Sequence, residues 1–379
     1  MYINKDELFS VAYFIFGSFF LLQQTTYFKI MIPNFFTYVV VVIVTFILML
    51  KETGDLITTK KMHLTIPGLI MAIFFLALSA KEMSNSSGSV FLLTCILIFS
   101  ARDIKLDSIL KPFLLFSSFI FVITLFSSKI GLIQNMISYQ HRWRSSMGFS
   151  YVSFAAQLCF YFVLAYVVYR NTKLSYREII FLFFIVLFIY YKTVTASPFY
   201  LSMVMLFYSL IRKLVGKKYS GSRILRKIAP FTFVIAPLLL LWICYKAPTS
   251  LYFKINDLVN GRLELGKNGL STFGVHPFGQ KVHFTTLDIF GNFSSNYNFI
   301  DSSYIQLIVI YGVIYTILIL LMLFFTMKYI VKTRNEFLIV AMILISIHSM
   351  FDPQLLVLWY SPFALLIGRS FMYVNIKGR

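Results

Sequence analysis

The sequence predicts an all-α integral membrane protein of about twelve transmembrane helices, within a range of about ten to fourteen, built as one polytopic domain over residues 1–379. Three observations predict it. Hydrophobic residues make up 59% of the chain and charged residues 13%, whereas a soluble domain carries roughly a quarter charged residues. Apolar runs at 30–50, 148–169 and 304–325 are each long enough to cross a bilayer at ~20 residues per span. Lys and Arg fall between such runs instead of gathering on one face or tail.

The first run, 8–22, opens after Lys5, Asp6 and Glu7 and lacks a small-residue cleavage site, so it reads as a span and not as a cleaved signal peptide. Further runs follow at 30–50, 64–80, 88–100, 112–127, 147–169, 179–191, 199–211, 228–245, 304–326, 337–350 and 354–368. Those at 88–100, 179–191, 199–211, 337–350 and 354–368 fall short of ~20 residues. They fit tilted or re-entrant segments, or spans extended by flanking polar residues. With the N-terminus inside, the inner segments collect 23 of the 34 Lys and Arg residues and the outer segments 11. Because basic residues favour cytoplasmic loops, both termini come out cytoplasmic. Residues 246–303 then form one large extracytoplasmic loop between the ninth and tenth spans.

The net charge of +20 is thereby topological, and a nucleic-acid partner is not expected. Cys95, Cys159 and Cys244 all lie in apolar runs and read as small core residues. Two outer loops break the polarity rule and draw attention for that reason: 246–303 holds five basic residues and 127–148 holds three.

His141, Arg142 and Arg144 form a His-Arg-Trp-Arg cluster just before the sixth span. Guanidinium groups grip phosphate oxygens in bidentate fashion, which suits a lipid-linked pyrophosphate at a membrane edge. Arg and Trp also anchor proteins in the headgroup layer, so both readings stand. Arg262 is a third phosphate-binding candidate, with a salt bridge to Glu264 or Asp257 as the alternative. The glycines around it (Gly261, Gly266, Gly269, Gly274, Gly279) and Pro277 favour turns over a continuous helix. His276 and His283 lack the companion carboxylates or thiols of a metal-ligand set, so no metal is expected. Asp301 precedes a long apolar run on the outer side, where partial desolvation would raise its pKa toward the range of a general base; a helix N-cap is the competing role. Asp352, followed by Pro353, reads as a turn.

The segments NGRLELGKNGLSTFGVHPFGQKV and DSSYIQLIVIYG resemble the signature of the Wzy-type polysaccharide polymerases, in which Gly-Arg leads to a His-Pro-Phe-Gly turn and then to Asp-Ser-Ser-Tyr at the mouth of a helix ending in Tyr-Gly. HRWRSSMGFSYVSF is similar to the arginine-plus-glycine element before a middle helix of that family. The related O-antigen ligases carry His-Asn where this chain has Asp301-Ser302. The resemblance implies a multi-pass protein of the bacterial plasma or inner membrane. Its activity would be a metal-free and cofactor-free glycosyl transfer, on the extracytoplasmic face, between oligosaccharide repeat units borne on undecaprenyl pyrophosphate. It further implies membrane lipid, a repeat-unit flippase and a chain-length regulator as partners. By position in the motifs, Arg142, Arg144 and Arg262 would hold the pyrophosphate, His141 and Tyr304 would contact substrate, and Asp301 or His276 would serve as base. An O-antigen ligase-like glycan transferase and a transporter or flippase for lipid-linked oligosaccharide are the alternatives. The transporter class usually shows repeated halves, and none is found between 1–190 and 191–379.

Overall fold

The computed structural model describes residues 4–27, 32–59, 64–85, 88–139, 143–216, 223–286 and 297–373. It is mostly helical. Along the chain run α1 (Lys5–Leu22), α2 (Phe35–Thr59), α3 (Ile66–Glu82), α4 (Ser89–Ser100), α5 (Leu106–Lys129), α6 (Phe154–Arg170), α7 (Tyr176–Thr193) and α8 (Ala196–Val215). A short α9 (Arg223–Ile228) leads into α10 (Thr232–Tyr245), then α11 (Thr249–Leu258), α12 (Arg262–Phe273), α13 (Ser303–Gln306), α14 (Gly312–Thr333), α15 (Glu336–His348) and α16 (Ser370–Tyr373). Among the described residues, five helical stretches are long and apolar enough to cross a membrane: Phe35–Gly54, Leu106–Lys129, Ala196–Val215, Leu225–Tyr245 and Ser303–Thr333. Large apolar side chains such as Phe46, Phe119 and Phe184 face outward on these and neighbouring helices, as a hydrocarbon surround requires.

Eleven of the twelve apolar runs lie on helices. The twelfth, 354–368, does not form an α-helix: turns fill 349–360 and a 3-10 helix follows at Pro362–Arg369. Pro353 and Pro362 remove two backbone donors there, and a side chain at Gly368 would collide with the Ile98 carbonyl at 2.2 Å. Irregular backbone survives inside an apolar bundle only where the protein satisfies it. Here the Leu355 amide donates to Ser303 Oγ at 3.1 Å, and Tyr13 donates to the Leu358 carbonyl at 2.7 Å. A second departure is a small antiparallel hairpin, β1 (Ile137–Tyr139) with β2 (Trp143–Ser145), in a segment expected to be loop. Its alternation places Arg144 inward, while Trp143 is 71% exposed.

Helix ends sort into two groups. At one end the start of α1, the end of α2 and the α4–α5 corner are tied by ion pairs: Lys5 to Asp103 at 2.5 Å, Lys51 to Asp103 at 2.9 Å, and Arg102 to Glu52 at 2.6 Å. Arg369 joins them by donating to the Arg102 carbonyl at 2.9 Å. The end of α1 meets the opposite group, where Thr26 donates to the Gln134 carbonyl at 2.8 Å and Thr25 bridges Phe149. That second end also gathers the starts of α6, α8 and α13 and the ends of α7 and α15.

Candidate active site

Arg262 is the first residue of α12, and its placement begins with two left-handed residues, Asn260 at φ 57° and Gly261 at φ 79°. That turn separates α11 from α12, with the Gly261 amide donating to the Asn256 carbonyl at 2.8 Å. Contrary to the turn reading of its glycines, Gly266 and Gly269 lie within α12, on the face packed against residues 300–305. A Cβ on Gly266 would stand 2.6 Å from Ile305 Cδ1, and one on Gly269 would stand 2.4 Å from Ile300 Cγ1. The glycines let α12 lie flush on that segment, and this brings Arg262 to Asp301.

The partners of Arg262 are neither Glu264 nor Asp257. Its Nη1 donates to Asp352 Oδ1 at 2.5 Å and to the Phe351 carbonyl at 2.6 Å, and its Nε lies 3.8 Å from Asp301 Oδ2. Arg262, Asp301 and Asp352 are all buried. Burial works against the Arg262 charge, but Asp352 and Asp301 outweigh it and hold the guanidinium above its ordinary pKa.

Asp301 is not the helix cap. Ser302 takes that role, its hydroxyl accepting from the Ile305 amide. Burial lifts the Asp301 carboxyl to about 6; Arg262 and Arg144 pull against the rise and Asp352 adds to it. Arg144 reaches the same region from the hairpin. Its Nε donates to the Thr193 carbonyl at 2.9 Å and its Nη2 to Thr195 Oγ1 at 3.2 Å, closing the open C-terminal carbonyls of α7 around left-handed Val194. Tyr151 and Tyr297 complete the surroundings, hydrogen-bonded to each other, with burial and then the Asp301 charge raising the Tyr297 phenol.

Asp352, read from sequence as a turn residue, lies in the turn-filled segment after α15, and it is also fully buried and central to the cluster. Gln157 on α6 donates to its Oδ1 at 2.5 Å, Ser197 on α8 to its Oδ2 at 3.4 Å, and His348 Nδ1 on α15 lies 3.2 Å from Oδ2. Sequence reasoning missed His348, Gln157, Ser197, Tyr151 and Tyr297. The available signals were a histidine and an aspartate four residues apart at the end of an apolar run, and an amide inside the apolar run of α6.

His141 and Arg142 are outside the described residues. His276 is exposed, and its backbone carbonyl accepts from the Val313 amide at 3.1 Å. The loop carrying it fits the break between the π-helical turn Leu307–Tyr311 and α14, where a Cβ on Gly279 would meet the Ile310 carbonyl at 2.1 Å and one on Gly312 the Gly279 nitrogen at 2.2 Å. Tyr304 is buried between α13 and α15, donating to the Ser346 carbonyl at 2.9 Å. Among the described residues, no three His, Cys, Asp or Glu side chains form a metal-ligand group.

Chemically, the cluster sets one carboxylate with a raised pKa beside two arginines where several helix ends meet, an arrangement able to move a proton and bind an anion together. Set beside protein families, curated proteins and solved structures, the chain matches none.

Proposed function

We propose that the chain is a lipid-dependent glycan polymerase of the Wzy type, joining undecaprenyl-pyrophosphate-linked repeat units on the extracytoplasmic face of a bacterial plasma or inner membrane. About twelve spans, both termini in the cytoplasm and residues 246–303 outside complete the reading. The observation that carries it is the convergence of Arg144, Arg262 and Asp301, from three separate segments, at the end of the bundle opposite the cluster around Lys5, Lys51 and Arg102.

In the proposed reaction the acceptor hydroxyl oxygen bonds to the anomeric carbon of the donor sugar. The bond from that carbon to the pyrophosphate breaks, and its electron pair leaves with the pyrophosphate oxygen. Asp301 takes the hydroxyl proton, and such a base contributes about 10²- to 10⁴-fold. Arginine side chains offset the charge developing on the leaving group. Arg144 and Arg262 fill that role here, with Arg142 as a third.

The test is Asp301→Asn, which keeps the side chain's shape and its neighbours while removing the basic oxygen. Glycan from cells carrying that variant at normal level should stop at single repeat units. Full-length polymer would defeat the reading, and transport of lipid-linked units by the purified wild-type protein without chain growth would assign it to transport instead.

A further inference from the structure

Arg262 faces two carboxylates that are held in different ways. Asp352 is wholly enclosed, and donors from α6, α8 and α12 converge on it, with Gln157 and Arg262 both at 2.5 Å. Its main chain is fixed as well, since Ser303 donates to the Asp352 carbonyl through Oγ at 2.6 Å and through its amide at 3.2 Å. Asp301 lies toward the rim at 7% exposure, and among the described residues its carboxylate has the 3.8 Å ion pair with Arg262 and no hydrogen bond. A charge-assisted hydrogen bond at the shorter distance outcompetes an ion pair at the longer one.

We infer that Asp352 is the fixed counter-ion and positioning residue of Arg262, and that this commitment leaves Asp301 as the carboxylate free to exchange a proton. The inference deepens the polymerase reading and rests on it only for the use made of the proton. Were Asp352 absent, Arg262 would turn to Asp301, lock it as a salt bridge and remove its basicity. The groups facing Asp301 are Arg262 from α12, Asp352 from the irregular segment, Arg144 from β2, Tyr151 ahead of α6 and Tyr297 from the long loop. His348 and Gln157 face Asp352. The network therefore divides two carboxylates into a structural one and a working one, much as paired carboxylates are split wherever their environments differ.

Infrared difference spectroscopy on the purified full-length protein tests this, following the carboxylic-acid carbonyl band of Asp301 against pH and assigning it by its loss in Asp301→Asn. In Asp352→Asn the midpoint should fall by about one pH unit or more, as a like charge disappears and Arg262 closes on Asp301. Gln157→Leu should move it the other way, because Asp352 loses a competing donor and holds Arg262 more tightly. An unmoved or raised midpoint in Asp352→Asn overturns the inference. If that variant does not accumulate, Gln157→Leu decides alone, a rise supporting the assignment and no change or a fall overturning it. Chain length in Asp301→Asn, measured in parallel, separates the two layers. Single repeat units with unmoved midpoints defeat the positioning role alone, and full-length polymer with the expected midpoints defeats the polymerase reading alone.

Discussion

Gly269→Ala is the smallest change that reaches the Arg262–Asp301 pair without touching either residue. A methyl at Gly269 would lie 2.4 Å from Ile300 Cγ1 and 2.5 Å from its Cδ1, whereas carbon atoms rest at ~3.5–4.0 Å. Relief needs a displacement of about 1 Å or more. Ile300 is wholly buried and stiff at χ1, so α12 must do the moving. Overpacking of this kind costs about 1–3 kcal/mol, offset by ~1 kcal/mol from replacing Gly by Ala inside a helix. The net loss is up to about 2 kcal/mol, and an equal shift of Arg262 opens its 3.8 Å contact with Asp301 to about 5 Å.

Ile300→Ala deletes both clashing atoms and leaves only Cβ, at 3.7 Å, in ordinary contact. The sign of Gly269→Ala should therefore reverse between backgrounds: destabilising beside Ile300, and stabilising by up to ~1 kcal/mol beside Ala at 300, where the added methyl fills vacated space. Thermal midpoints of the four purified proteins in detergent form the double-mutant cycle, with polymer length in cells as the functional readout. Equal shifts from Gly269→Ala in both backgrounds, or no shift in either, would refute the close approach of α12 to Ile300.

Three further predictions concern the burial of Asp301 and the orientation of the chain. Because burial raises Asp301 to about 6, chain growth in membrane vesicles should decline as pH drops through that value, and a rate unchanged on acidification would remove Asp301 as the base. By linkage a raised carboxyl stabilises the folded chain at low pH and loses that contribution as pH rises through about 6, so acidification should raise the thermal midpoint more in wild type than in Asp301→Asn. For topology, a cysteine at the exposed Asn268 should react with a membrane-impermeant thiol reagent in intact cells or spheroplasts, whereas one at the exposed Lys173 should react only after lysis. The native cysteines are buried and give little background, and the opposite labelling pattern would invert the orientation.

Helices were the legible part of the fold, since each α-helix satisfies its own backbone and needs only an apolar run to declare itself. The segment 349–361 was not legible, because its stability comes from distant donors such as Ser303 and Tyr13 that no local pattern encodes. The same limit applies to the site. Arg144, Arg262 and Asp301 were visible as charges on the side that the bias of basic residues predicts to be translocated, where a basic or acidic residue needs a reason to be. Asp352 and His348 were hidden: adjacent to apolar runs and a proline, an acidic residue reads as a turn until its partners on α6, α8 and α12 are known.

The long-loop motif divides into two physical jobs. Its glycines and proline act through shape: Gly279 and Gly312 interlock so closely that either Cβ would strike backbone, and the Pro277 carbonyl accepts from the Ile314 amide at 3.1 Å. This seats the His276 loop against the start of α14 and gives that histidine a reason to occur where it does without any chemistry. Arg262 and Asp301 act through charge, and they meet because Gly266 and Gly269 bring α12 down onto Ile300 and Ile305. Motif residues far from the ion pair thus serve it by fixing where two backbones touch, so loss of activity on replacing a glycine there identifies geometry, and only a shifted pH dependence identifies the base.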